Sequence, residues 1–297
     1  MLLADILNKY KDLTFLKPNS YSFSVCYNYW REQLFERCMR LFVYENLPDT
    51  LPRKEIEQRF IMQGFNIITK IYKSELRTFY GTLTNFTGIY FDEPLAVSVA
   101  SPIFSDTINK DKFVLVDNSS TRNALYPLIH HYAVLLGHAT VTLQNILVNA
   151  RDINGVPIAV TQQQKESITN YLSNLWNGKK TSILDKSFLG VEFAGVNTGQ
   201  GMNIKDCMET INNLIDNFYN DIGVKTSKDK KGNMLTPEIE ADNPMLLLNI
   251  NDMLDCRRKG FDEVNKKYGT NIKVDIAEEL KSRCDVETEK NESEKIL

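Results

Sequence analysis

Residues 120–150, STRNALYPLIHHYAVLLGHATVTLQNILVNA, carry the clearest structural signal in the chain. At 100° per residue, most apolar side chains fall on one arc of a helix and polar ones on the other. The apolar arc holds Leu125, Leu128, Ile129, Tyr132, Leu135, Leu136, Ala139, Leu143, Ile146 and Leu147; the polar arc holds His131, His138, Thr142, Asn145 and Asn149. Such a helix would be about 45 Å long, which exceeds the usual length in a globular core. The stretch therefore predicts a rod-like helix packed against similar neighbours.

Residues 203–222 predict a second amphipathic helix. Its apolar face consists of Ile204, Met208, Ile211, Leu214, Ile215, Phe218 and Ile222. A polar stripe lies opposite and consists of Glu209, Asn213, Asp216 and Asn220. This division into two faces is typical of a helix that covers apolar surface on one side only. Gly223 fits the end of the helix, because glycine readily adopts the left-handed conformation found there.

Residues 224–244 are almost free of apolar side chains and predict a long loop. Four lysines are opposed only by Asp229 in the first half, and three acids follow in the second. The lysines are Lys225, Lys228, Lys230 and Lys231, and the acids are Glu238, Glu240 and Asp242. A loop this long in a compact chain usually has a function or is disordered. A charged loop is by default a solvated one, but a ring of such loops would concentrate positive charge around one axis.

The other segments alternate in their predicted structure. Helices are predicted over 20–47, 52–62, 163–176 and 252–268. Strands are predicted over 66–72, 87–91, 95–100, 112–116, 156–161, 191–196, 245–250 and 272–276. Residues 151–202 form a separate small unit, and the charged tail begins at about residue 285. Long helices together with short strands indicate an α+β fold.

Composition narrows the class of protein. The 297 residues are 42% hydrophobic and 25% charged, which is normal for a folded chain, and the net charge of −3 argues against a uniformly basic surface. No apolar run approaches the length of about 18 residues needed to span a membrane. The N-terminus lacks a basic region followed by an apolar run, so no secretory signal is predicted. Five scattered cysteines without a CxxC pair indicate free thiols in a reducing compartment.

The sequence offers no convincing catalytic or metal site. His131 and His138 lie two helical turns apart, about 10.5 Å along the axis, which is too far for one metal ion. Gly199 and Gly201 precede a helix but lack the remaining residues of a phosphate-binding loop. No Ser, Cys and His arrangement suggests a nucleophile. We therefore expect no enzyme, no cofactor and no metal.

Three strings of residues, in this order, resemble a known family. Phe42-Val-Tyr-Glu-Asn-Leu-Pro48 is similar to that family's aromatic-x-x-Glu-Asn-Leu-Pro motif. Ile222-Gly-Val-Lys225, with Lys230-Lys231 and Met234-Leu-Thr236, resembles its helix exit and loop. Tyr268-Gly-Thr-Asn-Ile-Lys-Val-Asp275 resembles its Tyr-Gly-x-Asn-Val-Lys-Val motif. The family is that of the portal proteins (upper collar, head–tail connector) of small podophages with short, linear, protein-primed genomes (picovirus type). The resemblance is collinear over roughly residues 25–280.

The resemblance implies an α+β portal fold: a mainly helical stem, an α/β wing and a small α/β clip, assembled as a dodecameric ring. It assigns 1–119 to the wing, 120–150 and 203–223 to the stem, 151–202 to the clip, 224–244 to the channel loop, and 245–297 to a C-terminal wing or crown segment with a charged tail. It implies that Lys225, Lys228, Lys230 and Lys231 contact DNA, and that Glu209, Asn213, Asp216 and Asn220 face the channel.

The implied place is the head–tail vertex of the virion, after assembly in the host cytoplasm. The implied partners are other copies of the chain, double-stranded DNA, the capsid protein, the lower collar or tail protein and a packaging ATPase, with no membrane. The family's best-known member binds a packaging RNA through a basic N-terminal arm. Here the chain begins Met-Leu-Leu-Ala-Asp-Ile-Leu, so a packaging RNA stays open. A monomeric DNA-binding module that uses the lysine-rich loop is the alternative, and a hydrolase with an unrecognised site is a third hypothesis.

Overall fold

A computed structural model of the chain describes residues 22–71, 75–86, 94–101, 104–149, 156–176, 191–194, 203–224 and 244–281. Its helices are α1 (Phe23–Cys38), α2 (Arg53–Gln63), α3 (Tyr126–Asn149), α4 (Gln162–Trp176), α5 (Ile204–Ile222), α6 (Pro244–Tyr268) and α7 (Glu278–Lys281). Its strands are β1 (Phe42–Glu45), β2 (Phe65–Ile71), β3 (Glu75–Phe79), β4 (Gly81–Phe86), β5 (Pro94–Ser101), β6 (Phe104–Asn109), β7 (Phe113–Asp117), β8 (Val156–Ile158), β9 (Glu192–Ala194) and β10 (Lys273–Ile276). The predicted α+β class is confirmed.

The chain divides into two compact units. The small unit comprises Met1–Trp30 and Ala133–Leu214, and the large unit comprises Arg31–Tyr132 and Ile215–Leu297. Both units are therefore discontinuous in sequence. Within the described residues, no helix is both long enough and apolar enough to cross a membrane.

Two three-stranded antiparallel sheets form the β part of the large unit. The strand orders are β3-β2-β7 and β4-β5-β6. Alternate residues of both sheets meet in one apolar core made of Ile67, Phe79, Val97, Val99, Ile108 and Phe113. The period of two along each strand puts these side chains on the inner faces. The predicted strands over 66–72, 95–100 and 112–116 are confirmed, whereas residues 87–91 lie outside the described residues.

The predicted helix over 20–47 is wrong at its C-terminal end. α1 stops at Cys38, and Phe42–Glu45 forms β1, which pairs antiparallel with β10. Phe42 lies opposite Ile276, and both side chains are fully buried. The strand is stabilised by a partner near the other end of the chain. Local helical spacing could not indicate that partner.

The predicted strand over 245–250 is also wrong. These residues form the beginning of α6, which starts at Pro244 and continues to Tyr268. Pro244 suits the first turn of a helix, where no intrahelical N–H bond is needed. The buried side chains then recur at helical spacing, at Ile250, Met253, Leu254, Arg257, Phe261 and Val264. By itself, the apolar run Met245–Leu248 fits either a strand or a helix. The helical spacing of the apolar residues after it favours the helix.

The long helix predicted over 120–150 is confirmed over 126–149 but begins six residues later. The residues before it form a turn, in which Arg122 adopts a left-handed φ of 55°. The carbonyl oxygen of Arg122 lies so close to Gly64 that a Cβ atom there would approach it to 2.1 Å. Arg122 also donates from Nε to Asp117 Oδ1 at 2.9 Å. These contacts hold the turn beside the end of β7. The helix therefore begins only at Tyr126.

A buried polar group, which we call the Arg257 cluster, joins α6 to the N-terminal part of the large unit. Arg257 Nη1 donates to Glu57 Oε1 at 2.7 Å, and Arg257 Nη2 donates to Asn118 Oδ1 at 2.7 Å. The hydroxyl of Tyr44 donates to the same Glu57 oxygen. The guanidinium also lies 3.7 Å from the centre of the Phe42 ring. The ion pair is therefore desolvated, and the hydrogen bonds at Arg257 Nη1, Arg257 Nη2 and Glu57 Oε1 compensate part of that cost. Glu57 Oε2 and Arg257 Nε are buried without a hydrogen-bond partner among the described residues.

In the small unit, the start of α1 packs on the middle of α3. Phe23 stacks on His138 with ring centres 4.2 Å apart, and Trp30 Nε1 donates to Thr140 Oγ1 at 2.8 Å. Gly137 allows this approach, because a Cβ there would lie 3.3 Å from the backbone of Tyr27. His138, predicted to lie on the polar arc of the helix, is exposed and also stacks on this aromatic ring. The predicted strands over 156–161 and 191–196 are confirmed as the shorter β8 and β9, and the helix over 163–176 is confirmed as α4.

Candidate functional site

The polar stripe lies on α5. The four lysines of the proposed channel loop, Lys225, Lys228, Lys230 and Lys231, fall in 225–243, outside the described residues. The structure therefore places the stripe, and the role of the lysines stays a prediction. Spacings of four, three and four residues put Glu209, Asn213, Asp216 and Asn220 on one face of the helix.

The N-terminus of α5 is fixed by reciprocal capping. Asn203 Oδ1 accepts a hydrogen bond from the backbone N–H of Asp206 at 2.9 Å. Asp206 Oδ2 accepts one in return from the N–H of Asn203 at 3.4 Å. Such an arrangement pairs two donors that a helix start leaves without partners. The Asn-x-x-Asp spacing is visible in the sequence, although the sequence analysis did not use it.

The C-terminal half of α5 is anchored within the large unit. The hydroxyl of Tyr132 donates to Asp221 Oδ2 at 2.6 Å, and burial, followed by the nearby carboxylate, raises the pKa of Tyr132. Phe218 is fully buried and meets the Tyr132 ring edge-on, with ring centres 5.5 Å apart. Asn249 Nδ2 donates to the Asp221 carbonyl at 2.8 Å. Gly223, with φ of 95°, then ends the helix as predicted.

The polar stripe carries less negative charge than Glu209 and Asp216 alone would give it, because a lysine lies beside Glu209. Glu209 is an exposed side chain, and its Oε1 lies 3.7 Å from Nζ of Lys205, one turn earlier on the same face. Asn213 is exposed, while Asp216 and Asn220 are half-buried. Exposed ion pairs of this kind contribute little to stability. The face is therefore hydrated and weakly acidic, with Lys205 as a member that the sequence analysis missed.

The apolar face of α5 is only partly covered by its own chain. Phe218 and Ile222 are buried as predicted, and Cys207, which was not assigned to the face, is also buried. Cys207 Sγ donates to the Ala139 carbonyl at 3.4 Å within the small unit. By contrast, Met208 is 53% exposed and Ile204 is 38% exposed. We call Ile204 and Met208 the open row of α5.

The long helix α3 shows the same incomplete coverage. Ile129, Tyr132 and Leu136 are buried, as the apolar arc predicted. Leu135 and Leu147 belong to the same arc, and they are 38% and 44% exposed. The single chain therefore leaves part of the apolar arc uncovered. Two helices of the described chain thus present apolar side chains that their own chain does not cover.

The cysteine thiols of the described residues have raised pKa values. Burial raises the pKa of the Cys26 and Cys207 thiols. It raises that of Cys38 to about 12 and, with the help of Asp252, that of Cys256 to about 11. Thiols of this kind are poor nucleophiles, because the reactive species is the thiolate. In the described part of the chain, no three His, Cys, Asp or Glu side chains converge as metal ligands would.

The chain matches a family model and is similar to several solved structures. The family model described as Phage Connector (GP10) matches residues 9–281. A chain of the portal and tail of native bacteriophage P68 is 17% identical, with 93% of this chain and 91% of that chain covered and a TM-score of 0.45. A chain of the neck of an empty GTA particle is 10% identical, with coverage of 84% and 80% and a TM-score of 0.41. An HK97 family phage portal protein from Corynebacterium diphtheriae is 10% identical, with coverage of 84% and 91% and a TM-score of 0.45.

Proposed function

The chain belongs to the phage connector family, and from this premise we propose that it forms a dodecameric ring through which double-stranded DNA enters and leaves the head. It is a structural portal protein of the virion, placed at the head–tail vertex, and not an enzyme. The observation that best supports ring assembly is the open row of α5, where Ile204 is 38% exposed and Met208 is 53% exposed on the apolar side of the helix. A neighbouring copy would cover this row.

We assign the proposed domains on the same basis. The helices within 120–150 and 203–223 are the stem, 151–202 is the clip, and 224–244 is the channel loop. Residues 1–119 and 245–297 supply the wing and crown. The pairing of β1 with β10 supports placing the two ends of the chain in one domain, because it ties residues 42–45 to 273–276 in a single sheet.

The polar stripe of α5 is proposed to face the channel. Each copy would contribute Glu209 and Asp216, offset in part by Lys205, so that the wall is hydrated and weakly acidic. Phosphates would be repelled weakly along such a wall and would find few lasting partners. DNA would then slide rather than bind, as a conduit requires.

The partners of the proposed ring follow from its position. The wing would contact the capsid protein, and the clip would contact the lower collar or tail protein. During packaging a separate ATPase would supply the work.

Replacing Lys228, Lys230 and Lys231 with alanine should leave assembly intact and impair genome retention or the completion of packaging. Lysine ammonium groups contact phosphates without reading bases, and a ring multiplies such contacts. The difference from the wild type should shrink as ionic strength rises, because salt screens the contacts that the variant lacks. A packaging assay with the triple variant measures the effect, and Lys54, Lys259 and Lys266 replaced together serve as a control of equal charge. Packaging equal to that of the wild type would remove the loop from the mechanism.

Particle mass distinguishes the proposed ring from a monomeric DNA-binding module. Native mass spectrometry should show a particle about twelve times 34.1 kDa. A class-averaged electron micrograph should show a central hole. A monomer that persists across salt and protein concentration, and that binds DNA through the lysine-rich loop, would favour the alternative.

A further inference from the structure

The small unit exposes more large apolar side chains than it buries. Among its described residues, five apolar ones are buried, namely Cys26, Ala133, Leu136, Ile168 and Cys207. Eight large apolar side chains are exposed, namely the open row of α5, Leu135 and Leu147 of α3, and Tyr29, Ile158, Val160 and Leu172. The other 33 of the 38 buried apolar residues lie in the large unit, where two large apolar side chains, Met62 and Leu95, are exposed. The small unit therefore has too small a core for the apolar surface that it carries.

Val160 shows that this exposure is built into the local structure. It is 83% exposed just before α4, although hydrogen bonds fix the turn around it. The backbone N–H groups of Val160 and Thr161 both donate to Gln164 Oε1, at 2.9 and 3.1 Å. At a helix start of this kind, the residue before the cap often packs on an apolar residue four positions after the cap, but Lys165 occupies that position here. Val160 is therefore held in water by an ordered turn.

The helix α3 carries no charged side chain over its 24 residues, whereas 25% of the whole chain is charged. A solvated helix face normally holds Lys, Arg, Asp or Glu. The core of a contact between proteins is instead depleted of these residues. The composition of α3 therefore matches a helix covered by protein, and not by water, where Leu135 and Leu147 are exposed.

Another copy of the chain is the partner that fits this surface. Exposed apolar side chains occur on α1, α3, α4, α5 and β8, so the uncovered surface involves the whole small unit and not one groove. Every copy carries this surface, and contacts between permanently associated chains are hydrophobic, like a domain core cut in two. A ring needs two different patches on each copy, which several faces of one unit can supply. A nucleic acid would instead require a basic surface.

We propose that the small units of neighbouring copies complete one another's cores, so that the contacts between copies are concentrated in the small unit. This inference rests on the proposed ring and adds which part of the chain depends on it. The large unit folds on its own core. In an unassembled chain the small unit stays folded, but it opens locally far more often than the large unit does.

Three buried cysteines report on the two units. Cys26 and Cys207 lie in the small unit, and Cys38 lies in the large unit. A buried thiol reacts with iodoacetamide only when its surroundings open and the thiolate can form. The wild-type chain is labelled as the assembled particle and after dilution to the 34.1 kDa monomer, and peptide mass spectrometry gives a rate for each cysteine. Dilution should accelerate the labelling of Cys26 and Cys207 at least about tenfold and change that of Cys38 by less than about twofold.

Met208→Glu supplies the unassembled chain without dilution and should show the same acceleration, with Cys26 as the readout because Cys207 adjoins the substitution. Asn213→Glu is the matched control and should keep all three thiols as slow as in the assembled wild type. A chain that assembles at no concentration would overturn both the ring and this inference. If a ring forms but its dissociated copies keep Cys26 and Cys207 slow, or label Cys38 equally faster, this inference is wrong and the ring stands.

Discussion

Replacing Glu57 with alanine should lower the free energy of unfolding by about 3–5 kcal/mol. The substitution leaves Arg257 in a site where its side chain is 1% exposed, without the carboxylate that compensates its charge. The midpoint of thermal unfolding should fall by on the order of 10 °C. Differential scanning calorimetry or urea titration measures the change.

Two controls separate the buried charge from a general effect of losing an ion pair. Glu36→Ala removes an exposed pair, since Glu36 and Arg40 are 63% and 79% exposed, and it should cost less than about 1 kcal/mol. The double variant Glu57→Leu with Arg257→Met replaces both charges with apolar groups and should be much less destabilised than Glu57→Ala alone. A double variant as unstable as the single one would show that the lost hydrogen bonds to Tyr44 and Asn118, not the orphaned charge, set the cost.

Replacing Met208 with glutamate should prevent assembly of the proposed ring. A carboxylate in the contact between copies would be desolvated without a partner, and the penalty would recur at every interface. Native mass spectrometry should shift from the ring to the 34.1 kDa monomer, while circular dichroism stays unchanged because Met208 is 53% exposed in the single chain.

The matched control places the same charge on the opposite face of the same helix. Asn213→Glu lies on the exposed polar stripe and should assemble like the wild type. If Met208→Glu assembles normally as well, the open row is not the contact between copies. If Asn213→Glu alone blocks assembly, the stripe rather than the open row faces the neighbouring copy, and the channel assignment is wrong.

The parts of the fold that could be predicted are those whose signal is local. The period of apolar residues was sufficient for α3 and α5, and Gly223 marked where α5 ends. β1 could not be predicted in this way, because Phe42 is in a strand only through its pairing with Ile276. The start of α6 was misassigned because a short apolar run fits either a strand or a helix.

The candidate site shows the same limit. The polar stripe follows from helical spacing, and α5 carries its four residues where the sequence put them. Helical spacing did not predict how much of the opposite face the chain itself covers, since Ile204 and Met208 remain exposed on one copy. A periodic pattern predicts that a side chain is buried, but it does not indicate whether the same chain or another copy covers it. The buried ion pair and hydrogen bond of Arg257 could not be predicted either, because its partners Glu57 and Asn118 are distant in sequence.

The pairing of β1 with β10 has a consequence for synthesis on the ribosome. The strand that pairs with β1, Lys273–Ile276, is translated long after Phe42 has left the exit tunnel. At about 5–20 residues per second, the gap between residues 45 and 273 takes roughly 11–46 s. During that time Phe42 has no strand to pair with. A chain that ends before Lys273 cannot form this sheet.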